Sequence, residues 1–201
     1  MSIEMSIKIQ ITCKSTYIQS DDEVVRFSLY ISRNLVLALH NGQHQINQIN
    51  QIRLKTASDC PSYRIDVKSL ERIGDHASGI AEKCLELKRR LVVGLVSTVS
   101  KINELSLSVF RDSLESFLQR NYELDEKKVD ISHYVYPLEE NVITCLQKSK
   151  EVHCHSGSIR LVLENIGGTE EYASDIAETA IDETISKIME SRKGVGDQTH
   201  E

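Results

Sequence analysis

The chain has 201 residues, of which 24 are Lys or Arg and 30 are Asp or Glu, so its net charge is −6. Two prolines and nine glycines in this length exclude a collagen-like or disordered chain and argue against a loop-rich β-sandwich. The negative charge lacks the electrostatic signature of a dedicated nucleic-acid-binding protein. Low proline, glycine and aromatic content, with abundant helix-forming residues, predicts an all-α protein.

The sequence shows no targeting signal and no membrane segment. Its first residues contain no apolar run of signal-peptide length, and no stretch approaches the roughly 18 apolar residues of a membrane span. The cysteines match neither a zinc pattern nor a disulfide framework, so we expect reduced thiols and a cytoplasmic location. The five are Cys13, Cys60, Cys84, Cys145 and Cys154.

Helical signals are weak over residues 1–20 and become stronger after an acidic triplet at 21–23. Acidic residues are favourable at a helix N-terminus because they interact well with the helix dipole. We therefore expect the triplet to begin a helix over 24–39. Asn41-Gly42 is a turn signal that ends this helix.

Four further helices are predicted after this point. Asp59-Cys60-Pro61 marks a helix start, because proline in the first turn costs no hydrogen bond. The helices cover residues 59–90, 92–124, 126–149 with a kink at Pro137, and 158–189. We expect the polar residues 191–201 to form a disordered tail. His153-Cys154-His155 offers soft metal ligands, but the Ser-Gly-Ser that follows favours a loop between helices.

The chain contains an internal repeat. Residues 70–82 match residues 166–178 at a constant offset of 96, and both copies contain Ala-Ser-x-Ile-Ala-Glu. The repeat predicts two tandem three-helix units in one domain over 1–190, with the first unit over about 1–90 and the second over about 92–190. A bundle of six helices follows from this organisation.

Acidic residues form a stripe on the repeated helix of each copy, opposite the predicted core face. The predicted core face of the first copy is Leu70, Ile73, Ala77, Ile80, Ala81 and Cys84. The acidic stripe on the opposite side consists of Glu71, Asp75, Ser78, Glu82 and Glu86. The second copy has Gly167, Glu171, Ser174, Glu178 and Asp182, with Asp175 adjacent. Both copies therefore predict carboxylates on the solvent side of a helix.

Carboxylates four residues apart lie about 6 Å from each other and repel, which a hard divalent cation relieves. A solvated acidic face is the more common explanation of such spacing, and both interpretations stay open. The ferritin-type Glu-x-x-His pairs of a di-iron site are absent from the predicted helices. Because no Gly-x-Ser-x-Gly elbow or Walker-type glycine loop occurs either, we expect no enzymatic activity.

The segment Leu70 to Glu82 closely resembles the signature of the PhoU family of phosphate-uptake regulators, Glu-Arg-Ile-Gly-Asp-His-Ala followed by Asn-Ile-Ala-Glu. Residues 171–178 are similar to the second repeat of archaeal-type PhoU proteins, and residues 22–27 resemble the family motif Asp-Glu-Val-Asp-Arg. The resemblance covers about residues 15–190. Gly167, Val25 and Gly79 depart from the family pattern, and no AbrB-like DNA-binding domain is visible.

The resemblance implies two three-helix PhoU repeats in a six-helix domain, often a homodimer, with surface metal sites. Carried over by position, the metal ligands are Glu71 and Asp75 in the first repeat and Glu171 in the second. We infer separately that Asp175, four residues after Glu171, completes a pair of carboxylates in the second repeat. We expect the metal to be a divalent or trivalent ion such as Mg, Mn, Fe or Zn.

By family analogy, we expect a non-enzymatic regulator of phosphate uptake that binds the ATPase subunit of a phosphate transporter or a phosphate-signalling protein. No direct contact with nucleic acid and no membrane insertion are expected. Two alternatives belong to other classes. One is a metal-binding helical protein with a partner unrelated to phosphate, and the other is a dimerisation scaffold whose acidic stripes are solvated faces.

Overall fold

The computed structural model describes residues 3–41, 59–87, 93–119, 138, 140–144 and 156–196. Four long helices account for most of them: α1 (Ile3–Asn41), α2 (Cys60–Glu86), α3 (Val93–Gln119) and α4 (Ser156–Gly196). Residues 140–144 are also helical. Since the described parts of the chain contain no strand, the all-α prediction is confirmed. The arrangement of six helices in two repeats stays a prediction.

Helix α4 is the centre of the packing, because it lies against both α2 and α3. The larger core cluster joins α3, residues 140–144 and α4. Its buried members are Leu95, Ile102, Val142, Ile159, Val162, Leu163 and Ile166. Burial of each large aliphatic side chain contributes about 1.5–3 kcal/mol, so this cluster holds α4 in place.

Helix α1 packs on α2 and forms a second, smaller cluster. Leu35 and Ala38 of α1 are buried there against Cys60, with Ile31 and Tyr63 partly buried beside them. Burial raises the pKa of the Cys60 thiol, so the thiol stays protonated near neutral pH. The Tyr63 ring also meets the ring of Phe117 edge-on at 5.3 Å between centroids, which links this cluster to α3.

The local signals for helix boundaries have mixed outcomes. Helix α1 ends at Asn41 and α2 begins at Cys60, as the turn and proline signals predict. The acidic triplet at 21–23 does not begin a helix, because α1 runs through it without a break. Exposed carboxylates such as Asp22 and Glu23 need no terminal position, since water solvates them in mid-helix.

Two helices end at residues other than the predicted ones. Helix α2 ends at Glu86, before residue 90, where Leu87 adopts an extended backbone. Helix α4 continues to Gly196, past the predicted end at 189 and into the segment expected to form a tail. Most of the predicted helix over 126–149 and the whole of His153-Cys154-His155 lie outside the described residues.

The predicted core face of α2 is only partly correct. Ile73 is buried and Ile80 packs on the larger core cluster, but Ala77 and Cys84 are exposed. The reason is that α2 is covered on two sides, by α1 and by α4. Ala77 and Cys84 lie between those two sides, so the helical wheel placed them in a core that does not extend there.

Candidate functional site

Glu71 lies in the contact between α1 and α2. Its Oε2 accepts a hydrogen bond from the Ser28 hydroxyl at 3.0 Å, and its Oε1 accepts one from Lys68 Nζ at 2.7 Å. The side chain is 18% exposed, so the prediction that it faces solvent is wrong. The helical wheel of α2 contained no information about α1, which covers this position.

The Glu71 carboxylate is stabilised in its charged form. The hydrogen bond from Lys68 holds the pKa of Glu71 below its usual value, and the bond from Ser28 adds to the effect despite partial burial. Glu71 therefore forms a charged link between the two helices near neutral pH. Gly74 lets α1 come close here, since a Cβ at this position would lie 3.1 Å from Val24 Cγ1.

Asp75 follows Glu71 by one turn and is closer to the surface. Its Oδ2 accepts a hydrogen bond from Arg72 Nη1 at 3.3 Å, and its side chain is 40% exposed. Glu71 and Asp75, the two metal ligands predicted in the first repeat, thus each have a cation three residues before them in the same helix. Lys68 and Arg72 relieve the repulsion that the i, i+4 spacing creates.

The two acidic residues predicted in the second repeat lie on the outer face of α4. Glu171 and Asp175 are both exposed, as expected. They belong to a longer row of exposed carboxylates on α4. The five members of the row fall within about 60° on the helical wheel, so they lie along one side of the helix. This acidic row comprises Glu164, Glu171, Asp175, Glu178 and Asp182.

His76 and Tyr172 bring the two signature segments together across α2 and α4. Their ring centroids are 5.7 Å apart with a tilt of 31°. The His76 Nδ1–H donates to Asn165 Oδ1 at 2.9 Å, while the Asn165 amide donates to the Leu161 carbonyl at 2.6 Å. These bonds fix the orientation of the imidazole. His76 and Tyr172 are also separated by the 96-residue offset of the repeat, so equivalent residues of the two copies touch.

Two glycines allow this close approach. A Cβ at Gly79 would lie 2.7 Å from Asn165 Oδ1, and a Cβ at Gly168 would collide with the His76 imidazole. Each helix therefore supplies a glycine where the other helix places a polar side chain. Gly79 departs from the family pattern, and the absence of a side chain there leaves room for Asn165.

A cavity of about 620 Å³ opens beside His76 and Tyr172. Arg160, Glu164 and Glu171 supply charged groups, and Ile143 with Leu163 supplies an apolar wall. Gly167 and Gly168 also line the cavity and put no side chain into it. Of the predicted site residues, only Glu171 lines it. His76, Tyr172 and Arg160 were not predicted as site residues, although the 96-residue offset of the repeat relates the first two.

The described carboxylates do not form a ready metal site. Among the residues the structure describes, no group of three or more His, Cys, Asp or Glu side chains is placed to hold a metal ion. Both oxygens of Glu71 already accept hydrogen bonds, and the Lys68 ammonium occupies the position beside them. A cation at Glu71 and Asp75 requires Lys68 to move away, so the first motif does not fit a metal as it stands. Metal binding stays a prediction.

No membrane-crossing candidate occurs in the described helices, none of which combines the necessary length and apolar character. The molecule is an all-α protein in which two matched helices pair through their signature segments. No protein-family model matches the chain, and no solved structure matches it.

Two curated proteins are similar to it. Both are called phosphate-specific transport system accessory protein PhoU homolog, one from Streptococcus pneumoniae serotype 4 and one from strain R6 of the same species. Each is 32% identical over 112 residues, which cover 54% of this chain and 50% of the relative. The chain thus spans about half the length of the curated relatives it matches. These relatives support the relationship to the PhoU family that residues 70–82 indicated.

Proposed function

We propose that this protein is a non-enzymatic regulator of phosphate uptake or phosphate signalling that acts by binding another protein. The observation that carries the proposal is the PhoU signature in α2, together with curated relatives whose names place them in phosphate-specific transport. Its partner is the ATPase subunit of a phosphate transporter or a phosphate sensor, and the working form is a homodimer.

The acidic row on α4 is the surface we assign to the phosphate partner. Its five carboxylates are exposed, and the 18 residue steps from Glu164 to Asp182 correspond to about 27 Å of helix. Like charges along one helix face repel each other. A partner with a basic surface gains from this arrangement, both in encounter rate and in orientation.

Metal binding is the second candidate function, and the same row supports it. Glu171 and Asp175 are exposed and have the i, i+4 spacing of a carboxylate pair. Hard oxygen donors suit Mg, Mn or Fe, and a carboxylate also binds Zn. Two carboxylates are an incomplete ligand set, so further donors must come from water, phosphate or a partner protein. Metal analysis of Glu171→Gln/Asp175→Asn beside the parent chain tests this function.

Phosphate uptake by cells tests the regulatory proposal. Deletion of the gene is expected to raise uptake of labelled phosphate when phosphate is abundant, and the parent chain should restore the normal rate. Glu171→Lys/Asp175→Lys should fail to restore it, because the charge of the acidic row changes by four units. Glu104→Lys/Glu140→Lys is the matched control, since both residues are exposed and lie outside the row. Unchanged uptake after deletion would contradict the proposal and leave the scaffold alternative.

A further inference from the structure

The cavity beside His76 has the size of a small-molecule site. Its volume is about 620 Å³, and ligand sites in proteins measure about 300–1,000 Å³. Gly167 and Gly168 lie in the middle of the part of α4 that lines it, while Arg160 and Glu171 lie near the two ends. Eleven residue steps separate these ends, which corresponds to about 16.5 Å of helix. A ligand several bonds long can therefore lie across the two glycines.

The charged groups of the cavity are divided between its two ends. Arg160 and Glu164 are one helical turn apart at the first end, and Glu171 is at the second end, seven residues beyond Glu164. All three side chains are exposed, and within the described part of the chain none of them takes part in an ion pair. The cavity thus offers a ligand a cation with an anion beside it, and a second anion about 10.5 Å along the helix.

The second end also offers aromatic rings and a hydrogen-bond acceptor. Tyr172 follows Glu171 in the chain, and its ring lines the cavity beside the ring of His76. Because His76 Nδ1–H donates to Asn165, the Nε2 atom of the neutral imidazole is an acceptor. Nε2 is also the imidazole atom nearest to a Cβ built at Gly168, so this acceptor lies beside the glycines. A planar guanidinium suits such surroundings, since it donates to a carboxylate and stacks on aromatic rings.

An α-amino acid with a basic side chain is complementary to both ends at once. Its carboxylate and its ammonium group share one carbon atom, and Arg160 and Glu164 present the opposite charges one turn apart. Five bonds separate the α-carbon of arginine from its guanidinium carbon, so the extended side chain spans about 6 Å. The Glu164 and Glu171 side chains cover the remaining distance. The methylene groups of the ligand then lie against the apolar wall of Ile143 and Leu163.

We propose that this cavity binds a free basic amino acid of the arginine type. Arg160 binds the carboxylate, Glu164 binds the α-ammonium group, and Glu171 binds the guanidinium, which stacks on Tyr172. A bare metal ion is a poorer occupant, because Arg160 repels it and the apolar wall gives it nothing. The glycine at 167, where the PhoU pattern has an acid, keeps the middle of the cavity open. The site goes beyond the phosphate role and does not depend on it.

Calorimetric titration of the full chain with three related probes at about 0.15 M salt tests the site. L-Arginine is the complete ligand, agmatine lacks the carboxylate, and L-citrulline replaces the guanidinium with a neutral group of similar shape. We expect L-arginine to bind with a Kd below about 1 mM, and the other two probes to bind at least about fivefold more weakly. In NMR spectra, L-arginine should shift the amide signals of Gly167 and Gly168. The signal of Gly157, which is exposed and outside the cavity, should stay in place.

Two variants assign the ends of the ligand. Glu171→Gln should weaken L-arginine about tenfold and leave L-citrulline unchanged, since only the charged guanidinium loses its partner. Arg160→Gln should also weaken L-arginine about tenfold but leave agmatine unchanged, because agmatine has no carboxylate. Glu178→Gln is the matched control, since Glu178 is an exposed carboxylate of the same row and lies outside the cavity. Circular dichroism confirms that each variant remains helical.

Three results would overturn the proposal. One is the absence of binding up to about 10 mM L-arginine, and another is L-citrulline or agmatine binding as tightly as L-arginine. The third is a loss of L-arginine affinity in Glu171→Gln that is no larger than in Glu178→Gln. None of these results decides the phosphate role, which the uptake measurement tests separately.

Discussion

His76 of α2 stacks against Tyr172 of α4, the residue that occupies its equivalent position in the internal repeat, with 5.7 Å between ring centroids. The two copies of the signature thus meet at matching residues. The contact supports the idea that duplication produced a pair of helices that pack on each other. Gly79 and Gly168 allow this contact, because each faces a polar side chain of the opposite helix.

Gly168→Ala should destabilise the fold, because the new methyl group collides with the His76 imidazole. The alanine gains about 1 kcal/mol of helix propensity, and the overpacking costs about 1–3 kcal/mol. We expect a net loss of up to about 2 kcal/mol in the free energy of unfolding, measured by urea denaturation. Gly157→Ala is the control, since a Cβ there meets open space.

The same measurement on a double variant identifies the cause. In a His76→Ala background, Gly168→Ala should no longer be destabilising, because the colliding ring is gone. An equal loss in both backgrounds would show that the collision with His76 is not the reason.

Glu71→Gln should lower stability at neutral pH but not at low pH. The pKa of Glu71 is held below its usual 4.5, chiefly by the hydrogen bond from Lys68. A carboxyl group with a lowered pKa in the folded state contributes stability that is fully present above its unfolded-state pKa. This contribution is lost as the pH falls through the folded-state pKa. When the free energy of unfolding is plotted against pH, the curves of the parent chain and of Glu71→Gln should therefore be parallel above about pH 5.5. They should converge below pH 4.5.

Glu82→Gln is a suitable comparison, because Glu82 is exposed and its contact with Lys83 is long at 3.8 Å. We expect this variant to match the parent chain at every pH. A constant difference between the parent chain and Glu71→Gln down to pH 3 would contradict the assigned role of the charge.

The helix ends show where sequence reasoning succeeded. Asp59-Cys60-Pro61 and Asn41-Gly42 act through the local backbone, so their effects could be predicted without knowledge of the fold. The triplet at 21–23 was misread because acidic residues are favourable at a helix start but tolerated inside an exposed helix.

The site was harder to predict, because a helical wheel treats one helix at a time. The wheel predicted that Glu71 faces solvent, whereas α1 covers Glu71 through the Ser28 hydroxyl. For Glu171 and Asp175 the wheel was correct, since none of the described helices covers that face of α4. The His76–Tyr172 contact could have been predicted from the 96-residue offset, because it joins equivalent residues of the two copies.

Thr179→Val tests the buried polar contact between α2 and α4. Thr179 donates a hydrogen bond to Asp66 Oδ1, and Asp66 is 1% exposed. Valine keeps the shape but removes a donor from a buried carboxylate, which costs about 1–3 kcal/mol. Thr184→Val is the matched control, because the Thr184 hydroxyl bonds only to a carbonyl of its own helix in the described structure. Thermal unfolding of both variants should show a clear loss for the first alone.

The central claim is that the chain regulates phosphate uptake through a protein partner that meets the acidic row of α4. Affinity purification of the full chain from cells grown with abundant phosphate, followed by identification of bound proteins, tests it most directly. We predict recovery of a phosphate-transporter ATPase subunit or a phosphate sensor with the parent chain and with Glu104→Lys/Glu140→Lys, and its loss with Glu171→Lys/Asp175→Lys. Recovery of no phosphate-transport or signalling protein, or equal recovery with all three chains, would contradict the claim.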